Sequence, residues 1–461
     1  MPFTDVVVLL PGILGSALTR DGSDVWAISG SAIVGGLLSL GKSVQKLKLT
    51  DLSTDPSVAA DGIVAARLLD DVHMIPGLWK IDGYTKIANT LVKELGLERD
   101  GNFFPFPYDW RRDNRVAAKQ LAAKARGWLA SWRQRPGNAD AKLILVGHSM
   151  GGLVARHFLE VLDGWRDTRM LITFGTPYQG SLNALNTLSN GLKVGVGPFG
   201  VDLSPLAQSL PSLHQLLPVY TCYDAGGGTL ARCYEAAGIP NLDQAKAQAA
   251  GEFHREIERA VTQHLQDNEY MKNRYVVHPI VGRTQRTLQS ARLAHGVVEM
   301  LSTYQDKDYE GDGTVPRVSA TPHEYADKGI EFFADELHAS LQNHDAVLVN
   351  VVGLLKGLGI NAGAFNLAQA GSARLRLEVQ DAYPADQPIT MKTTVVAENP
   401  WLDLEASIVD IGTGKQVRTQ AIAATGEAAR TVSFAGLPQG TYRVSVEGDG
   451  VSSVRDVFLA F

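Results

Sequence analysis

Six short apolar runs recur along the first three-quarters of the chain: Asp5–Leu10, Asn102–Phe106, Leu143–Val146, Leu171–Phe174, Tyr275–Val281 and Ile330–Ala334. Between them lie stretches whose apolar residues fall at helical spacing, such as Tyr84–Leu95 and Ala117–Trp132. Apolar runs bounded by turns read as strands buried on both faces. Strands alternating with helices then predict an α/β fold, a mostly parallel sheet covered on both sides. Residues 20–80 and 178–300 break this rhythm and read as two insertions of the lid or cap kind. The first contains residues 29–40, small and apolar, with Ile33, Leu37, Leu38 and Leu40. Their alternative reading is ordinary buried structure, because apolar side chains are normally core.

From about residue 372 the pattern changes to strict alternation: Ala373, Leu375, Leu377 and Val379, later Tyr442, Val444 and Val446, and finally Val457, Leu459 and Phe461. Such strands, separated by Gly and Pro turns, predict a small all-β sandwich over 372–461 after a first domain over 1–360. The Gly- and Ala-rich segment beginning at Lys356 would join the two. Gly436-Leu-Pro-Gln-Gly-Thr-Tyr-Arg-Val resembles the penultimate strand of bacterial immunoglobulin-like modules, which identifies no ligand or partner.

A chain of 461 residues exceeds what one hydrophobic core serves, in keeping with two units. A net charge of −6 gives no electrostatic case for nucleic acid. The strand-like run starts almost at once after Met1, with no apolar signal core. The longest nearly apolar stretch, Ala346–Leu355, is too short to span a bilayer. A cytoplasmic or peripheral membrane location is expected. Cys222 and Cys233 could close a small loop disulfide or remain two thiols, and no Cys/His cluster has metal spacing.

The chemistry lies in Gly147-His148-Ser149-Met150-Gly151, where an apolar strand runs through a Gly-x-Ser-x-Gly turn into a helical segment. This is the nucleophile elbow of a serine hydrolase, with glycines two positions either side of the strained Ser149. A serine hydroxyl is a weak nucleophile, so a His must take its proton and an acid must orient that His, in the chain order Ser, acid, His. Asp312, between Gly311 and Gly313, falls in that order. Two bases are available, His338 and His344. His338 trails the last strand by a few residues and fits the loop position better, while His344 would fall in the first turn of the final helix, which Ser340 or Asn343 could cap. The backbone N–H groups of Met150, after the nucleophile, and of Ile13, after the first strand, are the candidate oxyanion donors.

Five segments together resemble the lecithin:cholesterol acyltransferase family of α/β-hydrolases: Leu-Pro-Gly-Ile-Leu-Gly-Ser at 10–16, Pro-Tyr-Asp-Trp-Arg at 107–111, Gly-His-Ser-Met-Gly-Gly-Leu-Val at 147–154, Phe-Gly-Thr-Pro-Tyr-Gln-Gly-Ser at 174–181 and Gly-Asp-Gly-Thr-Val-Pro at 311–316. The resemblance implies Ser149 as nucleophile, Asp312 as acid, and Ile13 and Met150 as oxyanion donors. It also implies that 20–80 and 178–300 are the membrane-binding segment and cap. The chain departs from that pattern in lacking an early cysteine pair and in adding a C-terminal sandwich. Its His segment aligns through either candidate. The expected function is cofactor-free hydrolysis or transfer of acyl esters of lipids, a phospholipid or glyceride, at a peripheral membrane contact. The alternatives are a carboxylesterase on soluble short-chain esters, or a degenerate hydrolase acting as a binding or scaffold protein.

Overall fold

The computed structural model describes residues 3–26, 47–50, 52–55, 61–70, 72–75, 79–194, 201–326, 328–357, 373–397 and 399–461. All six apolar runs become strands of one sheet. Its order is Phe332–Ala334, Val276–Gly282, Thr168–Phe174, Leu143–His148, Val6–Leu10 and Phe103–Pro105, with every neighbouring pair parallel. Val8 pairs with Leu145 on one side and Phe104 on the other, and the two central strands Val6–Leu10 and Leu143–His148 are buried throughout. Continuous apolar runs suit such strands because helices cover both faces, and each fully buried Val or Leu contributes roughly 1.5–3 kcal/mol.

Asn114–Arg133 is one of the covering helices, and the Asp113 side chain caps it by accepting from the Arg115 N–H at 2.8 Å. The Tyr-Asp-Trp-Arg segment that precedes it braces the loop after the first strand. Tyr108 Oη donates to the Pro11 carbonyl at 2.7 Å and the Trp110 indole N–H to the Ser16 carbonyl at 3.1 Å. Arg111, fully buried, pairs with Asp109 and Asp61 at 2.6 Å each. A guanidinium in that position is tolerable only because two carboxylates compensate it.

The two insertions have different characters. Part of 20–80 forms a three-stranded sheet, with Ser16–Arg20 between Ser23–Trp26 and Ile63–Leu68. Residues 29–40, and with them Ile33, Leu37, Leu38 and Leu40, lie outside the described residues. The range 178–300 is not one insertion, because Val276–Gly282 within it is a strand of the central sheet. It is two excursions, one largely helical and one carrying the hairpin Ser290–Ala294 and Val297–Leu301. Cys222 and Cys233 are buried free thiols, with Sγ atoms 3.7 Å apart. Among the described residues, no helix is long and apolar enough to cross a membrane.

Beyond residue 373 the alternating pattern folds into two sheets. One holds Arg374–Glu378, Ile389–Val396 and Ala429–Phe434. The other holds five strands, with Val451–Ala460 and Gly440–Gly448 at its centre. Leu375, Met391 and Phe434 from the first meet Ile408, Val444 and Phe458 from the second in a shared core, as alternation requires of a sandwich. Residues 358–372, which join it to the first unit, lie outside the described residues. The two units are in close contact: Lys80 pairs with Asp381 and Asp456 at 2.7 and 2.8 Å, and Gln285 exchanges hydrogen bonds with the backbone of Leu375 and Leu377.

Candidate active site

The elbow forms where the central strand Leu143–His148 ends and the helix Met150–Val161 begins. Ser149 sits between them with φ 51° and ψ −125°, a conformation that L-residues with a side chain rarely adopt. Its N–H donates to the Phe174 carbonyl at 2.9 Å, and its carbonyl accepts from Thr176 Oγ1 at 2.9 Å, so the end of the neighbouring strand Thr168–Phe174 and the turn after it hold the strained residue on both sides. The glycines permit the close approach. A Cβ on Gly151 would lie 2.5 Å from the Pro11 carbonyl oxygen, and one on Gly147 would lie 2.8 Å from the Gly152 nitrogen.

Three separate loops at this edge converge. His338 Nε2 lies 2.9 Å from Ser149 Oγ, and His338 Nδ1 lies 2.7 Å from Asp312 Oδ2. The second Asp312 oxygen accepts from the Thr314 and Val315 N–H groups at 2.9 and 2.7 Å, and the Asp312 carbonyl accepts from the His338 N–H at 2.9 Å. The carboxylate is thereby fixed in orientation, and the imidazole with it. All three side chains are buried.

His344 is elsewhere. It occupies the N-cap of the helix Asp345–Leu355 with no side-chain cap bond, close to Arg455 and the backbone of Ser453 in the C-terminal unit. Neither Ser340 nor Asn343 caps that helix; Ser340 starts a short 3-10 turn, and the Asn343 amide donates to the Asp82 carbonyl at 2.8 Å. Burial lowers the His344 pKa.

Met150 directly follows Ser149, and Ile13 follows Gly12 in the loop after the first strand. Gly12 is so close that a Cβ there would be 2.9 Å from Ser149 Cβ. Among the described residues, neither the Ile13 nor the Met150 N–H has a protein acceptor, which leaves both donors available to an oxyanion.

A buried chain of bonds ties these loops together, and nothing in the apolar pattern signals it. The Gly12 N–H donates to Tyr84 Oη at 2.8 Å, Tyr84 Oη donates to His148 Nδ1 at 2.9 Å, and His148 Nε2 donates to the His338 carbonyl at 3.1 Å. Burial pushes the His148 pKa down to about 3, so it stays neutral with its proton on Nε2. His148 was visible in the elbow motif. Tyr84, 64 residues away, was not. Tyr84→Phe removes a bond at each end and leaves a buried donor and acceptor unpaired. We expect it to cost about 1–3 kcal/mol and to slow turnover. An unchanged denaturation midpoint together with unchanged turnover would contradict this.

A cavity of about 620 Å³ opens between the two units, with Asp312, His338 and Leu337 on one side and Val379, Met391 and Lys392 of the sandwich on the other. Among the described residues, no group of His, Cys, Asp and Glu is arranged to hold a metal ion.

Residues 50–232 match the family model of lecithin:cholesterol acyltransferase, a span that includes the elbow and ends before Asp312 and His338. The uncharacterized protein YJR098C of Saccharomyces cerevisiae is 32% identical over 97 residues. That alignment covers 21% of this chain and 14% of the yeast protein, so the chain spans about one-seventh of the length of the curated relative it matches. Among solved structures, the mature form of the Bacillus licheniformis lipase BlEst2 aligns at 14% identity over 77% of this chain and 93% of that one, with a TM-score of 0.33. Its propeptide form aligns at 13% identity over 100% and 94%, with a TM-score of 0.35. A family protein with an immunoglobulin-like β-sandwich from Bacteroides vulgatus aligns at 20% identity over 18% of this chain and 94% of that one, with a TM-score of 0.14.

Proposed function

Proceeding from the chain as a lecithin:cholesterol acyltransferase-like α/β-hydrolase with a C-terminal β unit, we propose that it hydrolyses or transfers acyl esters of lipids through an acyl-enzyme on Ser149. The observation that carries the proposal is the continuous Asp312, His338, Ser149 hydrogen-bond chain, at 2.7 and 2.9 Å, on the strained elbow. His338 Nε2 takes the Ser149 hydroxyl proton as Oγ attacks the ester carbonyl carbon. The Ile13 and Met150 N–H groups bind the carbonyl oxygen as it gains charge. The tetrahedral intermediate collapses, the leaving alcohol takes the proton from Nε2, and the acyl group remains on Oγ. Water or a second alcohol repeats the sequence in reverse and frees the serine.

A phospholipid or glyceride is the proposed substrate, met at a membrane surface through residues 29–40. A panel of lipid vesicles with and without added alcohol acceptors, read by mass spectrometry of the products, tests substrate and acceptor together. Specific activity should be higher on aggregated than on monomeric ester. Leu37→Asp should lower the vesicle rate by about tenfold or more, since burying one Leu is worth roughly 1.5–3 kcal/mol, and spare a soluble short-chain ester. Equal losses on both substrates, or no preference for vesicles, would favour a carboxylesterase of soluble esters.

A further inference from the structure

The His338 loop is held from both sides, and the grip on its far side comes from the C-terminal sandwich. Glu336, two residues before His338, is fully buried. Its Oε1 accepts two backbone N–H groups at 2.9 Å: that of Leu337 in its own loop, and that of Arg455 in the sandwich strand Val451–Ala460. Leu337, between Glu336 and His338, packs against the sandwich core. On the other side, the His338 N–H and carbonyl are bonded to Asp312 and His148. The loop therefore has one set of anchors in the hydrolase and another that exists only because the sandwich is docked.

We infer that Glu336 is a positioning residue that joins the C-terminal sandwich to the loop carrying His338, and that it does so as the uncharged acid. Both accepted bonds fall on Oε1, while Oε2 is buried with no partner among the described residues. An ionised carboxylate would leave half its charge on that bare oxygen, whereas the neutral acid can carry its proton there at much smaller cost. Burial raises the Glu336 pKa from 4.5 to about 8.

The charged groups around it do not reverse this. Arg455, on the sandwich, draws the value down but is itself paired with Asp345 of the last helix at 3.0 Å. Asp82, on the loop ahead of the helix Thr85–Leu95, pushes it up and is paired with Arg443. Asp335, its neighbour in the loop, is paired with Arg283 at 3.0 Å. Because the folded-state pKa is raised, the neutral group's contribution to stability is complete below about pH 4.5 and is lost as pH rises through about 8. Above that, the charged carboxylate loosens the seam, and His338 loses its outer support.

The inference rests on His338 being the base for Ser149, and the test separates the two. The rate at which a fluorophosphonate labels Ser149 is measured from pH 6 to 10 in the full-length wild type, Glu336→Gln and Glu336→Ala, with a melting temperature at each pH. Gln reproduces the neutral acid, with a carbonyl for the two N–H groups and no charge at any pH. We expect the wild-type rate to fall on an alkaline limb near pH 8, Glu336→Gln to match it at neutral pH and lack that limb, and Glu336→Ala to label at least about tenfold more slowly throughout. The melting temperature of the wild type should also drop relative to Glu336→Gln as pH approaches 8. An alkaline limb unchanged in Glu336→Gln, or Glu336→Ala labelling within twofold of wild type, would overturn the inference. Absence of labelling in the wild type would instead overturn the nucleophile assignment, and this inference with it.

Discussion

Ser149→Ala is expected to lower turnover by at least about 10³-fold with the fold intact. The hydroxyl is the only group removed, and its partner is His338 Nε2 at 2.9 Å. The backbone strain at φ 51° is carried by bonds of the Ser149 N–H and carbonyl, which alanine keeps. What should survive is substrate binding and the proposed Ile13 and Met150 donors, so the residual activity would measure those terms alone. Steady-state kinetics beside a denaturation midpoint check both halves. Turnover within tenfold of the wild type would exclude Ser149 as nucleophile.

His338→Ala is expected to produce a loss of similar size, because Ser149 then has no base and Asp312 has nothing to orient. The contrast is His344→Ala. His344 is an N-cap residue facing the sandwich, unconnected to Ser149 or Asp312 by any described bond, so its variant should keep most of its turnover and show a modest loss of stability. Parallel measurement of both variants is decisive, since the two histidines lie in one short segment and share any general disturbance. A retained rate in His338→Ala with a lost rate in His344→Ala would move the base.

The parts of this site that could be read from sequence are those written in local pattern. The six strands are apolar because helices cover both their faces, so their runs, and the sheet they build, stand out in the sequence itself. The elbow is local too, and its glycines are needed where the Pro11 carbonyl and the Gly152 nitrogen approach. The order of Ser149, Asp312 and His338 follows from the order in which strands end at one sheet edge. The choice between His338 and His344 was open for a physical reason: a short strand, Phe332–Ala334, and a 3-10 turn at Leu341–Asn343 leave room for either in a loop. Only the start of the last helix at Asp345 separates them.

What could not be read depends on contacts between distant segments. Tyr84 reaches His148 across 64 residues, and Glu336 reaches the Arg455 backbone across 119. Each is a single polar residue in an otherwise ordinary stretch, with no period to mark it. The range 178–300 reads as one insertion for a related reason. Its loss of rhythm comes from the helical and hairpin excursions on either side of the core strand Val276–Gly282. The sandwich could be recognised from alternation, but its seam with the hydrolase could not, because Lys80, Gln285 and Glu336 belong to the other unit.

The proposed covalent acyl-enzyme on Ser149 is tested most directly by trapping it. The full-length protein is treated with a fluorophosphonate, or quenched during turnover of a slowly released acyl ester. It is then digested, and the modified peptide is sequenced by mass spectrometry. One adduct is expected, on Ser149 within the segment Leu143 to Arg156, absent from Ser149→Ala and strongly reduced in His338→Ala. An adduct on another residue, or turnover of ester with Ser149 unmodified throughout, would contradict it.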